Sequence, residues 1–245
     1  MCRQLAYLGP PVTLASLLLD PPHSLLHQSY APADMRGSGT INADGFGAGW
    51  YGPDGLVRYR RSCPLWSDPG FATLARSTRS GAMMGAVRSA TVGMPVVETA
   101  SAPFTDGRIL FGHNGRVTGW PDSMAKSAER LPVTDLLTLD APTDAALLWA
   151  MLQHRLRAGA DLLDATGAVL NEVAAAAPGS RLNLIATDGH QIIATTWGHA
   201  LSYLVTDDSC TVASEPLDSD ERWQPVPDRR LLRATAETLS VAEVS

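Results

Sequence analysis

The chain has 245 residues, 45% of them apolar and 18% charged, which provides material for a packed interior and excludes a disordered, highly charged chain. A formal net charge of -6 and a pI near 5.4 exclude the basic footprint of a nucleic-acid-binding protein. No apolar run reaches the roughly 18 residues that a membrane-spanning helix needs, and no basic region followed by an apolar core opens the chain, so the expectation is a cytoplasmic protein with no nucleic-acid or membrane partner.

In chain order, residues 2–8 form the first expected strand, closed by Gly9-Pro10-Pro11. Residues 14–19 and 24–28 follow as two short helices divided by Pro21-Pro22. Residues 45–51 alternate small residues with Phe46, Ala48 and Trp50, a glycine-rich strand suited to close backbone approach. The basic run Arg58-Tyr59-Arg60-Arg61 reads as a solvated strand or turn. Residues 82–87 and 109–112 are compact apolar runs fit for central strands.

The helical pattern is clearest after Pro142. Thr143 or Asp144 can cap a helix that carries Leu147, Leu148, Met151, Leu152 and Leu156 on one side. Residues 161–175 repeat the pattern with Leu162, Leu163, Val169, Leu170 and Val173. Strands return at residues 182–187, 191–197, 201–205 and 210–213, with Asp188-Gly189 as a hairpin turn between the first two. This order predicts sheets in the middle and helices outside, in one domain spanning residues 1–245. The segment after Pro225 carries no pattern that decides between docking and mobility.

Three cysteines, Cys2, Cys63 and Cys210, are too few and too scattered for a disulfide framework or a structural zinc site. Cys63 and Cys210 read as small buried hydrophobes. Cys2 differs because removal of Met1 leaves its own α-amino group beside the thiol. With a reference pKa of roughly 7.7–8.0, that amine is a usable base near neutral pH.

Three further elements can carry chemistry. Asn114 and Gly115, after the apolar run, can aim a side-chain amide and a backbone N–H at one developing oxyanion; an Asn-Gly turn is the alternative. The neighbouring His113 reads equally as a packed histidine or as an acid or base. Arg88, at a strand end with Ser89, Ala90 and Thr91, offers a two-point fork to a carboxylate, or a structural ion pair. Asp144 can accept from an ammonium group or simply serve the helix start. Together Arg88 and Asp144 would hold both charged ends of an α-amino acid.

That ordered set resembles the class II glutamine amidotransferase family of N-terminal nucleophile hydrolases. The resemblance covers most of the chain. It implies an α+β fold, a four-layer αββα sandwich of two antiparallel sheets, with no metal and no organic cofactor. It implies Cys2 as nucleophile, Asn114 and Gly115 as the oxyanion hole, and Arg88, Thr91, His113 and Asp144 as substrate-binding residues. Residues 42–51, 88–105 and 213–218 are similar to one branch, the amidohydrolases of ergothioneine biosynthesis. These remove glutamate from γ-glutamyl-hercynylcysteine sulfoxide.

Two departures bear on the choice within the family. Ser89 and Val92 stand where many amidotransferases carry Trp and His, and 245 residues leave no room for an ammonia-accepting domain. Both favour a free-standing hydrolase acting on a small γ-glutamyl substrate. The competing expectations are a glutaminase subunit, a hydrolase of another γ-glutamyl thiol peptide, and an inactive binding protein. Assembly into a homo-oligomer is left open. For the trimethylammonium of a hercynyl group the aromatic candidates are Trp50, Tyr51, Phe104 and Trp197, with core packing as the alternative for each.

Overall fold

The computed structural model describes residues 2–36 and 41–244. Met1, whose removal is expected, lies outside them. The strands are β1 (Arg3–Thr13), β2 (Phe46–Gly52), β3 (Gly55–Arg61), β4 (Arg79–Val87), β5 (Phe104–Thr105), β6 (Leu110–Arg116), β7 (Arg181–Thr187), β8 (Ile192–Thr196), β9 (Ser202–Val205), β10 (Cys210–Ala213), β11 (Gln224–Pro225), β12 (Arg230–Ala234) and β13 (Leu239–Glu243). The helices are α1 (Ala15–Leu18), α2 (Leu25–Gln28), α3 (Pro69–Ser77), α4 (Ala125–Ala128), α5 (Val133–Leu137), α6 (Asp144–Arg157) and α7 (Leu162–Ala176). One sheet has the order β11-β9-β10-β1-β4-β2-β3 and the other β13-β12-β8-β7-β6-β5. All recorded pairings are antiparallel.

Strand alternation sorts the apolar residues into three buried clusters, and three clusters separate four layers. Leu5, Tyr7, Met83 and Val87 point from the first sheet toward α1, α2 and α3. Ala6, Leu8, Met84, Leu110, Ile185 and Ala194 fill the space between the sheets. Leu182, Leu184, Ala186 and Ile193 point from the second sheet to α6 and α7, where Phe111 stacks on Trp149 at 5.6 Å between ring centroids. The protein is therefore the expected αββα sandwich. The helix starts are capped as the sequence suggests. Thr143 accepts from Ala146 N at 3.3 Å, and Asp161 accepts from Asp164 N at 2.9 Å.

The glycine-rich strand has the close contacts its composition implies. A Cβ on Gly47 would stand 2.4 Å from the Ala102 carbonyl oxygen, and one on Gly49 would stand 2.4 Å from Leu110 Cδ2. The hairpin at Asp188-Gly189 also forms, with Gly189 at φ 87° and Asp188 Oδ1 accepting from His190 N and Gln191 N.

Several expectations are corrected. The first strand does not stop at Gly9-Pro10-Pro11. It continues to Thr13 across a register shift between Leu8 and Val12, because Pro10 and Pro11, which lack N–H donors, fall inside the bulge. Arg58 to Arg61 do form a strand, on the edge of its sheet, but Arg60 is not solvated. It is buried, pairs with Asp140 at 3.2 Å and donates to Thr99 O at 3.1 Å. Cys210 is buried as expected, which pushes its thiol up to about 12, while Cys63 is only half-buried. The segment after Pro225 docks, with β12 pairing to β8 and β13 to β12.

Candidate active site

Cys2 stands immediately before β1, the middle strand of the seven-stranded sheet. Arg3 pairs with Val87, so the strand that follows Cys2 begins where β4 ends. The residues that follow Val87 form one wall of a cleft of about 540 Å³. Cys2, Arg88, Thr91, His113, Gly115 and Asp144 all line it. The fold thus gathers six of the seven residues singled out above, drawn from the residue before β1, the segment after β4, β6 and the start of α6.

Each is held by backbone geometry. Cys2 is half-buried, and its thiol lies 3.9 Å from the Ser89 carbonyl oxygen. Arg88 exchanges backbone hydrogen bonds with the segment before β2, its N–H donating to Gly45 O at 2.8 Å and its carbonyl accepting from Asp44 N at 2.9 Å. Asp44 Oδ2 also accepts from Ala90 N at 2.8 Å, which pins the turn leading to Thr91. The Arg88 guanidinium is buried and donates to the Pro95 carbonyl at 2.9 Å. It has no carboxylate partner among the described residues, so the structural ion pair considered for it is absent there.

Asp144 is the first residue of α6, with Thr143 as the cap. Its carboxylate is buried, accepts from Val117 N at 2.9 Å and Ala145 N at 2.8 Å, and has no cationic partner among the described residues. A helix N-terminus favours a negative charge at that place. His113 Nε2 donates to the Arg181 carbonyl at 3.0 Å, and since a carbonyl only accepts, the proton sits on Nε2.

Asn114 and Gly115 are not a turn. They lie inside β6, opposite Asn183 and Leu182. Gly115 is required there, because a Cβ would fall 1.8 Å from the Arg181 carbonyl oxygen and 2.7 Å from His113 Nε2. Asn114 is the one predicted residue whose side chain does not line the cleft. It borders a smaller recess of about 160 Å³ with Arg3, His199 and Ser214, and Arg3 lines both spaces. Its Nδ2 makes a long 3.5 Å contact to Ser214 Oγ, and its Oδ1 has no partner among the described residues. Of the aromatic candidates only Phe104 lines the cleft. Trp50 packs in the outer core, Tyr51 donates to Thr187 O at 2.8 Å, and Trp197 lies under Arg229 at 4.8 Å.

No family model matches the sequence. The γ-glutamyl-hercynylcysteine sulfoxide hydrolase of Mycolicibacterium smegmatis is 44% identical over 95% of this chain and 95% of its own length. The enzyme of the same name from Mycobacterium tuberculosis is 42% identical over 98% of this chain and 96% of its own. The chain belongs to the γ-glutamyl-hercynylcysteine sulfoxide hydrolase family. Among solved structures, a class II glutamine aminotransferase domain protein from Silicibacter pomeroyi covers 100% of both chains with a TM-score of 0.67 at 24% identity, which places the fold with the class II enzymes.

This hydrolase also carries residues around Cys2 that the sequence did not single out. Arg3 is buried and bonds Glu215 through Nε, the Cys2 carbonyl through Nη1 at 3.0 Å, and the Asp34 carbonyl through Nη2. Glu215 also meets His23 Nε2 at 2.6 Å and accepts from Ala33 N at 2.8 Å. Burial pushes its carboxyl up, but His23 and Arg3 outweigh it and hold the group below the usual carboxylate range. Gln4 Nε2 donates to Asn183 O at 3.0 Å, joining the two sheets beside the site. Asp44, Ser214 and Glu215 fall in stretches that resemble the family branch, which was the available signal. Nothing local marked Arg3, Gln4 or His199.

Two predictions follow from this geometry. Gly115→Ala drives a methyl group into the Arg181 carbonyl and displaces a backbone donor, so kcat should fall on the order of 10²–10³, measured alongside a thermal melt. Second, burial, with Arg181 and Arg3 adding to it, lowers the His199 pKa from 6.5 to about 4. Between those values the unfolded chain binds a proton that the folded chain refuses, so stability declines as pH falls through that window, by about 2–3 kcal/mol. Urea unfolding at pH 7 and pH 4.5 should show this decline in the parent and a much smaller one in His199→Gln.

Proposed function

We propose that the protein removes the γ-glutamyl group from γ-glutamyl-hercynylcysteine sulfoxide, releasing glutamate and hercynylcysteine sulfoxide in ergothioneine biosynthesis. The observation that carries this reading is the cleft beside Cys2, where a buried guanidinium and a buried carboxylate, neither with an ion-pair partner among the described residues, stand as complementary partners for an α-amino acid head group. Buried charges are normally paired, so these two are suited to a ligand that supplies the opposite charges. The reading requires a small-molecule γ-glutamyl substrate and no nucleic acid or membrane, and it assigns the whole chain to one hydrolytic domain in the cytoplasm.

The reaction begins with Met1 removed. Arg88 takes the α-carboxylate and Asp144 the α-ammonium, with Thr91 and His113 lining the same space. This sets the γ-carbonyl over the Cys2 sulfur and replaces a bimolecular search by a fixed approach. The Cys2 α-amine accepts the thiol proton, and sulfur attacks the carbonyl carbon. The Gly115 N–H and the Asn114 amide receive the oxyanion, the latter by turning from the adjoining recess, where its Nδ2 makes only a long 3.5 Å contact to Ser214 Oγ. The protonated amine then donates to the leaving nitrogen, the C–N bond breaks, and a γ-glutamyl thioester remains on Cys2. Water attacks the thioester, glutamate departs, and the thiol regains its proton. Ser89 and Val92, together with close likeness to hydrolases of the same length, support a free-standing hydrolase over a glutaminase subunit.

Intact-mass measurement before and after incubation with 6-diazo-5-oxo-norleucine tests the nucleophile. The expected result is loss of Met1 and one adduct, with Cys2→Ala showing no adduct and no turnover; turnover by pure Cys2→Ala rejects the mechanism. Arg88→Lys keeps the charge but loses the planar two-point contact. Its kcat/KM should fall by about 10–100-fold, the equivalent of roughly 1.5–3 kcal/mol for hydrogen bonds to a charged group, and a parental value would make Arg88 structural.

A further inference from the structure

The side-chain amide next to Gly115 has a mismatch that a single neighbour can resolve. Asn114 is 2% exposed and borders the recess beside the cleft, the two spaces meeting at Arg3. Its Nδ2 faces Ser214 Oγ at 3.5 Å, the limit of hydrogen bonding, and its Oδ1 has no partner among the described residues. A buried carbonyl oxygen without a donor is uncommon. An oxyanion hole needs a donor, and with Nδ2 spent on Ser214 the amide has chiefly an acceptor left to offer. Ser214 has the complementary mismatch. It too is 2% exposed, and in both of its side-chain contacts the oxygen accepts, from Gln4 N at 3.0 Å and from Asn114. Its own proton is therefore uncommitted among the described residues. A planar amide turned by 180° keeps its shape and exchanges Oδ1 for Nδ2. In the turned form Ser214 donates to Asn114 Oδ1, both mismatches are resolved together, and Nδ2 is released.

We propose that Ser214 is a positioning residue for the oxyanion hole: its hydroxyl proton holds the Asn114 oxygen, which leaves the Asn114 Nδ2–H groups for the reacting carbonyl. This rests on the reading of Asn114 as an oxyanion donor.

The hydroxyl can act in this way because the backbone fixes it. Ser214 N donates to Gln4 O at 2.9 Å while Ser214 Oγ accepts from Gln4 N, so the residue after β10 is clamped twice to the residue two positions beyond Cys2. Gln4 pairs with Ala86 of β4, and its side chain donates to the carbonyl of Asn183, the residue opposite Asn114 in β7. Strand pairing therefore places the Asn114 backbone and the Ser214 hydroxyl, and only the turn of the amide is left to a side chain. The two orientations have the same shape, so one hydrogen bond decides between them, by about tenfold. The resulting chain runs in one direction, from Gln4 N–H to Ser214 Oγ–H to Asn114 Oδ1, and each bond polarises the next.

The test is a double-mutant cycle on kcat for γ-glutamyl-hercynylcysteine sulfoxide, using Ser214→Ala, Asn114→Ala and the two combined, each checked by a thermal melt. Ser214→Ala should lower kcat about tenfold with KM within about twofold of the parent's, because Arg88 and Asp144 still hold the head group. In the Asn114→Ala background the same substitution should change kcat less than about twofold, since the hydroxyl then has no amide to orient. An equal loss in both backgrounds makes Ser214 merely structural and overturns the proposal, as does a parental kcat in Ser214→Ala. If Asn114→Ala keeps the parent's kcat, the oxyanion reading itself fails and the proposal falls with it. Should Ser214→Ala not fold, Ser214→Cys, whose thiol fills the site but donates weakly, takes its place with the same outcomes. If the parent leaves the sulfoxide intact, that substrate is wrong, and the cycle is measured on γ-glutamyl-p-nitroanilide with the same outcomes.

Discussion

The buried ion pair between Arg3 and Glu215 is the contact on which the rest of the site depends. Both side chains are almost wholly removed from water, so neither charge is tolerable without the other. Removing one partner of such a pair costs about 3–5 kcal/mol, because the remaining charge is stranded. The remaining bonding capacity is used locally. Arg3 also holds the carbonyls of Cys2 and Asp34, and Glu215 also holds His23 and the Ala33 N–H. One pair thus ties the start of β1 to the end of β10 and to the segment that follows α2. Residues ahead of a first strand would otherwise be free to fray. Here the residue after it is anchored by the ladder to β4 and by its own side chain.

Around that anchor the protein divides its polar groups into two kinds. Some are satisfied internally, such as Asp44 on Ala90, Gln4 on Asn183 and His113 on Arg181. Others are oriented by backbone contacts and left without a charge partner among the described residues, as with Arg88 on Pro95 and Asp144 on Val117 and Ala145. The second group has its orientation set by the backbone while its charge stays without a counter-charge among the described residues. Glycine contributes through what it omits. At Gly115 the approach to the Arg181 carbonyl leaves no room for a side chain, and at Gly47 the same holds against Ala102, whose segment lines the cleft.

Much of the architecture was legible along the chain. The apolar periodicity of α6 and α7, the strand-like runs of β7 and β8, and the Asp188-Gly189 turn are local patterns, and local patterns survive in the fold because packing reinforces them. The errors came where a distant partner overrode a local signal. Pro10 and Pro11 punctuate most strands, yet β1 continues past them because β4 resumes pairing at Val12. Arg60 belongs to a charged run, yet Asp140, eighty residues away, draws it into a buried pair. At Asn114-Gly115 the turn was only the alternative reading, and pairing to β7 rules it out by keeping the pair extended.

For the site, the sequence by itself determined which residue types were present and in what order: a cysteine after Met1, an arginine at a strand end, an Asn-Gly pair and an aspartate opening a helix. Those are properties of residue chemistry and short-range spacing, and they were sufficient to suggest the family. Only the tertiary structure decided which of them share a cleft, that Arg88 and Asp144 have no ion-pair partner among the described residues, and that Asn114 faces a separate recess. The reason is physical. Proximity between Cys2, Arg88, His113 and Asp144 comes from the order of strands within two sheets and from the docking of one helix start, and these depend on pairings between residues far apart in the chain that no local pattern encodes.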